Sequence, residues 1–244
     1  MRLAVISDIH GNSFALEAVL EDIARQNVDL TVNLGDTLSG PIDPRRTGDM
    51  LLELNAPTVR GNHDRVLAET GVFELGPVDR FALAQLDPRH VVWLEAMKPT
   101  LVVADDVFLC HGTPGDDNTA WLDNFWQNRE TVLPTEAQVA AEAEGFDYPV
   151  LLCGHTHIAR SVRLSDGRMI VNPGSVGLQT VHGSPDARYA ILEKRGEDWS
   201  VTFRVLGYDH AAAARKAEEN GFPHWAPALT GGWVAAEGLF SAHI

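Results

Sequence analysis

Lysine and arginine are scarce in this chain, 19 of 244 residues against 34 aspartates and glutamates, for a formal charge of −15. A surface that acidic repels long polyanions, which disfavours a general nucleic-acid-binding role. A small phosphorylated substrate remains compatible if something locally positive stands in the site, and bound metal ions supply such charge. Cysteine is nearly absent as well. Cys110 and Cys153 are too few for a disulfide framework, and both end apolar runs. They are expected to be buried reduced thiols, with the cytoplasm as the expected compartment. No run approaches the ~20 apolar residues of a membrane span, so no membrane partner is expected. The opening MRLAVISDIHGN has no small-residue cleavage site and reaches Asp8 at once. It reads as a first strand rather than a signal peptide.

The apolar fraction, 45%, is enough for a sizeable core, and no repeat or low-complexity linker divides the chain. A single domain over residues 1–244 is expected. Residues 2–7 and 30–34 read as buried strands, with 57–60 (PTVR) as a third candidate. Between the first two, SFALEAVLEDIARQN places apolar residues at 16, 19, 20 and 23, one helical face; Ser13 or Asn12 is placed to cap it. MLLELN lies in a further helix, and 77–96 is helical with a break near Pro88. Strands are then expected at 100–104, 107–110, 149–153, 160–164, 168–172, 188–193 and 199–206, followed by a helix in AAAARKAEEN that stops at Gly221. Alternating β and α in the first part and mostly β in the second point to an α/β layered fold with more than one sheet.

Residues 113–149 stand apart, with eight acidic side chains against one arginine and with Trp121, Phe125 and Trp126 close together. TEAQ at 135–138 has the Thr-x-x-Gln form of a capping box. The segment is expected to be a helical insertion over the main fold. It is either a solvated excursion pinned by its aromatics or a lid that shapes a pocket.

Chemistry collects where strands end. In extended chain, residues i and i+2 point to one side, so Asp8 and His10 project together after the first strand, and His155 and His157 do so in LLCGHTHIARS. Asp36 follows the second strand in NLGDT, Asn62, His63 and Asp64 follow the third in RGNHD, and His111 follows a later one in FLCHG. A lone Asp-x-His or His-x-His carries little information. Five of the ten histidines fall in these blocks, however, and the other five (His90, His182, His210, His224, His243) read as ordinary. Ligands at several strand exits converge on one edge of an α/β sheet. Seven groups (Asp8, His10, Asp36, Asn62, His111, His155, His157) are too many for one tetrahedral ion and suit two ions that share a bridge, for which Asp36 is a natural choice. Mixed nitrogen and oxygen donors without thiolate fit Mn²⁺, Fe, Zn²⁺ or Co²⁺ and disfavour Ca²⁺; Mn²⁺ is the expected occupant, with Ni²⁺ a further alternative.

The order Asp-x-His, Gly-Asp, Gly-Asn-His-Asp, His, Gly-His-x-His resembles the calcineurin-like metallophosphoesterase superfamily, from residue 3 to about 193. NPGSVG at 172–177 and ARYAIL at 187–192 resemble its small bacterial and archaeal phosphodiesterase branch. Protein phosphatases of the family usually carry Gly-Asp-x-Val-Asp-Arg-Gly at the second block, where this chain has GDTLSGP. The resemblance implies two packed mixed β-sheets flanked by helices, an αββα sandwich with metals at one edge. It assigns Asp8, His10 and His157 to one metal and Asn62, His111 and His155 to the other, with Asp36 between them. His63 is then the catalytic histidine, and Asp64 is expected to orient it.

The implied chemistry is phosphoester hydrolysis, most directly of a small phosphodiester or nucleotide-like substrate. Two ions ~3.5–4 Å apart activate a bridging water, and His63 serves the leaving alkoxide. Arg60 and Asn12 are weaker candidates for binding phosphate, and Ser175 reads as part of a tight turn. One rival is phosphomonoester or phosphoprotein hydrolysis. Another is a non-catalytic scaffold of the same fold, as in a retromer subunit that has lost the catalytic histidine; His63 is present here. Trp121, Phe125 and Trp126 are placed either to stack a base or to pack the insertion. The tail after residue 221, rich in tryptophan and poor in charge, is expected to cover apolar surface of its own chain or of a neighbour in a homo-oligomer.

Overall fold

The apolar runs of this chain form strands whose two faces are both covered, which is why they lack polar alternation. The computed structural model describes residues 1–71, 74–127, 130–234 and 239–240. In chain order it contains β1 (Arg2–Ile6), α1 (Ser13–Ile23), β2 (Leu30–Asn33), α2 (Pro44–Leu54), α3 (Asn62–Glu69), α4 (Pro77–Gln85) and α5 (Pro88–Ala96). Then come β3 (Leu101–Val103), β4 (Val107–Leu109), β5 (Asn124–Gln127), β6 (Glu130–Val132), α6 (Glu136–Glu142), β7 (Val150–Leu152), β8 (Arg160–Arg163) and β9 (Met169–Asn172). The chain continues through β10 (Ala187–Arg195), β11 (Asp198–Leu206), α7 (His210–Glu219), a short 3₁₀ turn (Pro223–Trp225) and α8 (Ala226–Gly231).

Two mixed sheets result. One has the order β11-β10-β1-β2, with β1 and β2 parallel; the other has the order β3-β4-β7-β9-β8, with β4, β7 and β9 parallel. Period-2 alternation sorts the side chains into layers. Leu3 and Val5 of β1 face Val107, Leu109, Val150 and Leu152 between the sheets. Their neighbours Ala4 and Ile6 turn the other way onto Leu16 and Val19 of α1. On the far side, Phe108, Leu151 and Ile170 meet Val139 and Ala143 of the α6 segment. The fold is therefore helix–sheet–sheet–helix, the α/β sandwich expected. Each fully buried Leu, Ile or Val in it contributes about 1.5–3 kcal/mol.

Three expectations need correction. Residues 57–60 make only single bridges, Thr58 to Asn33 and Val59 to Lys98; Pro57 has no N–H to donate, which prevents a regular ladder there. The Gly-Asn-His-Asp block opens α3 instead of ending a strand: Gly61 is the N-cap, and the Asp64 carboxylate accepts from its backbone N–H. The 113–149 segment is only partly helical, because the β5–β6 hairpin precedes α6. The Thr135–Gln138 capping box does open α6. Trp121 is buried with Phe108, Leu151 and Ile170 of the sheet, and its Nε1 donates to Val139 O at 3.0 Å, which ties it to α6. The side chains of Phe125 and Trp126 lie outside the described residues. In the tail, Trp225 and Leu239 are buried with Ile42, Val78 and Leu178, which covers surface of the same chain. Among the described residues no helix is long and apolar enough to cross a membrane.

Candidate metal centre

Parallel strands of both sheets run out at one edge of the sandwich, and the polar blocks follow them there. Asp8 and His10 lie beyond β1, Asp36 beyond β2, His111 beyond β4, and His155 and His157 beyond β7. Bonds between the sheets hold this edge together. His111 Nδ1 donates to Leu34 O at 2.7 Å, and the His155 backbone N–H donates to Asp8 Oδ1 at 3.2 Å. The approach is so close that a Cβ on Gly154 would lie 2.1 Å from Ser7 Oγ and 2.9 Å from Asp8 Oδ2. Five of these residues, Asp8, His10, Asp36, His155 and His157, adopt left-handed backbone with φ between 48° and 65°. Such conformations cost about 1–3 kcal/mol each for a non-glycine residue and persist where the surroundings over-determine them.

The imidazoles are fixed by carbonyls on their outer nitrogens. His10 Nδ1 donates to Ser39 O at 2.9 Å and His157 Nδ1 to Leu178 O at 2.6 Å. A carbonyl only accepts, so in neutral His10, His111 and His157 the proton sits on Nδ1 and the lone pair sits on Nε2. Those lone pairs point inward. His10 Nε2 and His157 Nε2 lie 3.2 Å apart, and Asp8 Oδ1 is 3.4 Å from the latter. On the other side Asn62 Oδ1 lies 3.1 Å from both His111 Nε2 and His155 Nδ1. Asp36 Oδ2 stands between the two groups, 3.2 Å from His111 Nε2 and 3.8 Å from His10 Nε2. Among the described residues, buried Asp8 Oδ2 has no hydrogen-bond partner. Converging lone pairs and an unpartnered buried carboxylate oxygen repel one another unless cations lie between them, so the donor set fits divalent metal ions. Asp8, His10, Asp36 and His157 have ligand atoms all within 4.8 Å of one another.

The electrostatics favour neutral rings at His10 and His155 and a protonated one at His111, where a cation would take the place of the proton on Nε2. Burial, aided by His157, pulls His10 down to about 3, and burial with His111 pulls His155 down to about 4, so both rings present lone pairs at neutral pH. Burial also opposes charge on His111, but Asp36 outweighs it and pushes that ring up to about 10. Burial alone would raise the Asp36 carboxyl; His111 and His63 instead hold it well below the usual carboxylate range.

His63 lies beside this group in a cleft of about 520 Å³, and Asp64 does not orient it. Successive residues of a helix point in different directions. The Asp64 oxygens accept from Asp36 N at 2.8 Å, Thr37 N at 2.9 Å and Gly61 N at 3.0 Å, which fixes the Asp36 loop to α3. The groups facing His63 Nδ1 are Ser39 Oγ at 3.3 Å and Asp79 Oδ1 at 3.6 Å, while the Phe240 ring packs at 4.2 Å. Burial lowers the His63 pKa, but Asp36 and then Asp79 outweigh it, and the net direction is up.

The weaker sequence candidates lie outside the donor set. Asn12 caps α1 through Ala15 N and donates to Gly177 O, and Gly11 N–H bonds Thr37 O, which leaves no open anion site at that helix start. Arg60 pairs with Glu69 and, with Arg65 and Asp117, lines a second cleft that reaches the candidate ligand His111. Buried Ser175 donates to Asp8 O at 2.7 Å and accepts from Leu178 N, so NPGSVG braces the ligand loops. Sequence reasoning missed Ser39, Asp79 and Phe240. Asp79 reads only as a first-turn acid of a helix that opens Gly-Pro, and no spacing ties it to His63.

Comparison with known proteins agrees with the architecture. The family model described as the calcineurin-like phosphoesterase superfamily domain matches residues 1–197. An uncharacterized protein of Methanocaldococcus jannaschii is 28% identical over 251 residues, which cover 91% of this chain and 94% of that protein. A crystal structure of a metallophosphoesterase from Sphaerobacter thermophilus superposes with a TM-score of 0.77 at 28% identity, covering 96% of this chain and 100% of that one.

Proposed function

This chain belongs to the calcineurin-like phosphoesterase superfamily, and from that premise we propose that it is a dinuclear-metal phosphodiesterase acting on a small phosphorylated or nucleotide-like substrate. The observation that carries the reading is the pair of inward-facing donor groups that share Asp36. Asp8, His10 and His157 would hold one ion and Asn62, His111 and His155 the other. Mn²⁺ is the favoured occupant, with Fe, Zn²⁺, Co²⁺ or Ni²⁺ as alternatives. Such ions, when bound, supply Lewis acidity that lowers the pKa of water toward neutrality and offsets charge on phosphoryl oxygens.

The chain's own residues account for the remainder. Water attacks phosphorus, the P–O bond to the leaving group breaks, and the departing oxygen takes a proton from His63. General acid catalysis of this kind contributes roughly 10²–10⁴ in rate. Preference for a diester follows from the cleft. Among its described lining residues there is no lysine or arginine, and one side carries Leu178, Val234, Leu239 and Phe240. A monoester dianion would bring a further charge that no described lysine or arginine of this cleft meets, whereas a diester puts an organic arm there. The buried thiols Cys110 and Cys153 accord with a reducing compartment.

The test is hydrolysis of bis(p-nitrophenyl) phosphate and p-nitrophenyl phosphate by protein loaded with Mn²⁺, beside His63→Ala. The diester is expected to turn over faster, and His63→Ala is expected to keep its metals yet lose most turnover. Faster monoester hydrolysis would favour a phosphomonoesterase. No hydrolysis and no metal uptake would favour a scaffold.

A further inference from the structure

We propose that Asp79, acting through Ser39, positions His63 for proton donation to the leaving group; this rests on the reading of His63 given above. Neither residue lies in a metal-ligand position. Asp79 comes from the first turn of α4, and Ser39 from the loop after β2. The Ser39 hydroxyl donates to Asp79 Oδ1. A hydroxyl has one hydrogen, so with that hydrogen engaged Ser39 Oγ faces His63 Nδ1 as an acceptor, at 3.3 Å. The direct separation of His63 Nδ1 and Asp79 Oδ1, 3.6 Å, is too long for a hydrogen bond. The chain of bonds therefore has one polarity, from Nδ1–H to Oγ–H to carboxylate. It leaves Nε2 as the ring atom free to reach substrate.

Two further observations set Asp79 apart from an ordinary first-turn acid. It is only 8% exposed, and Ser39 is fully buried. The N-cap of α4, Gly76, has no side-chain cap, and the hydrogen bond that Asp79 accepts comes from Ser39 rather than from its own helix. Ser39 also acts through its carbonyl, which accepts from His10 Nδ1 at 2.9 Å. One residue thus fixes both a candidate metal ligand and the candidate acid, and so sets the distance between them. Phe240, packed against the ring of His63, restrains rotation of the imidazole away from that bond. Asp79 and Ser39 are positioning residues, since neither needs to touch the reacting atoms.

A leaving-group series separates this role from a structural one. Aryl phosphodiesters of increasing phenol pKa are hydrolysed by the Mn²⁺-loaded wild type, Asp79→Asn, Ser39→Ala, His63→Ala and the Asp79→Asn/His63→Ala pair. Asp79→Asn and Ser39→Ala are expected to lower kcat about 10–100-fold for the poorest leaving groups, since good ones need no acid. Their KM should stay within about twofold and metal content should be unchanged, while Tm is expected to fall because each change disrupts the buried hydroxyl–carboxylate bond. The double variant should be no slower than His63→Ala, because both changes remove one device. A wild-type leaving-group dependence in Asp79→Asn beside an impaired His63→Ala would overturn the positioning role alone. An equal loss for every leaving group, with metal lost, would show a structural role and overturn it too. Wild-type turnover in His63→Ala would overturn the underlying reading of His63.

Discussion

His10 and His157 turn their Nε2 atoms toward each other at 3.2 Å, and each ring's Nδ1 is already donating to a backbone carbonyl. Two lone pairs held face to face are a cost unless a cation accepts both. His157→Ala removes one of the two donors. It is expected to weaken binding at that position by more than the ~10–100-fold typical of lost supporting residues, while the His111–Asn62–His155 group keeps its ion. Elemental analysis after dialysis reads this directly, and unchanged stoichiometry would contradict it.

Asp36 is the carboxylate shared by both groups, and its other oxygen accepts from the His63 backbone N–H at 2.9 Å. Asp36→Asn keeps that shape but removes the negative charge that offsets two cations. Occupancy of both positions is expected to fall. Retention of two ions per chain would refute the shared role.

Acidification should weaken metal binding. His111 is pushed up to about 10, chiefly by Asp36 against the effect of burial, so a cation at its Nε2 must displace a proton. His10 and His155, pulled down to about 3 and about 4, release none at neutral pH. Affinity for Mn²⁺ is therefore expected to rise by up to about tenfold per pH unit through neutrality, with proton release. Calorimetry in buffers of different ionisation heat at about pH 6 and about pH 8 checks the sign. Equal affinity at both would rule the linkage out.

A buried network far from the site should control acid stability. Asp22, at the end of α1, accepts from Tyr189 Oη at 2.6 Å and from Arg204 at 2.9 Å. Burial raises its pKa, but these bonds outweigh it and the net direction is down. A carboxyl depressed in the folded state contributes stability that is full above its unfolded value and is lost as pH falls through the folded one. Tyr189→Phe is expected to cost about 1.5–3 kcal/mol near pH 7 and less near pH 3, below the ordinary carboxyl value. Urea unfolding at both pH values tests this, and equal costs would reject it.

Much of this protein was legible in its sequence because the relevant signals are local. The buried strands were readable as apolar runs, and most matched within a residue or two, because a strand covered on both faces needs no polar alternation. The donor types were readable because each follows such a run. Residues 57–60 were misread, since the β-branched pair Thr58–Val59 after a proline looks like a strand until its missing ladder is seen. The 113–149 segment was misread as mainly helical because its hairpin carries no tight-turn signature.

What the tertiary structure decided is which atoms face which. Asp64 adjoins His63 in sequence, yet helical geometry sends its carboxylate to Asp36, Thr37 and Gly61. Asp79, sixteen positions after His63, meets it because α4 packs beside the loop that carries Ser39. The choice of Nε2 over Nδ1 in His10, His111 and His157 likewise depends on carbonyls of Ser39, Leu34 and Leu178, distant in the chain. Sequence fixes the residue types and their order, because these follow from local runs of apolar and polar groups. Direction and partnership of a side chain depend on packing between segments far apart along the chain.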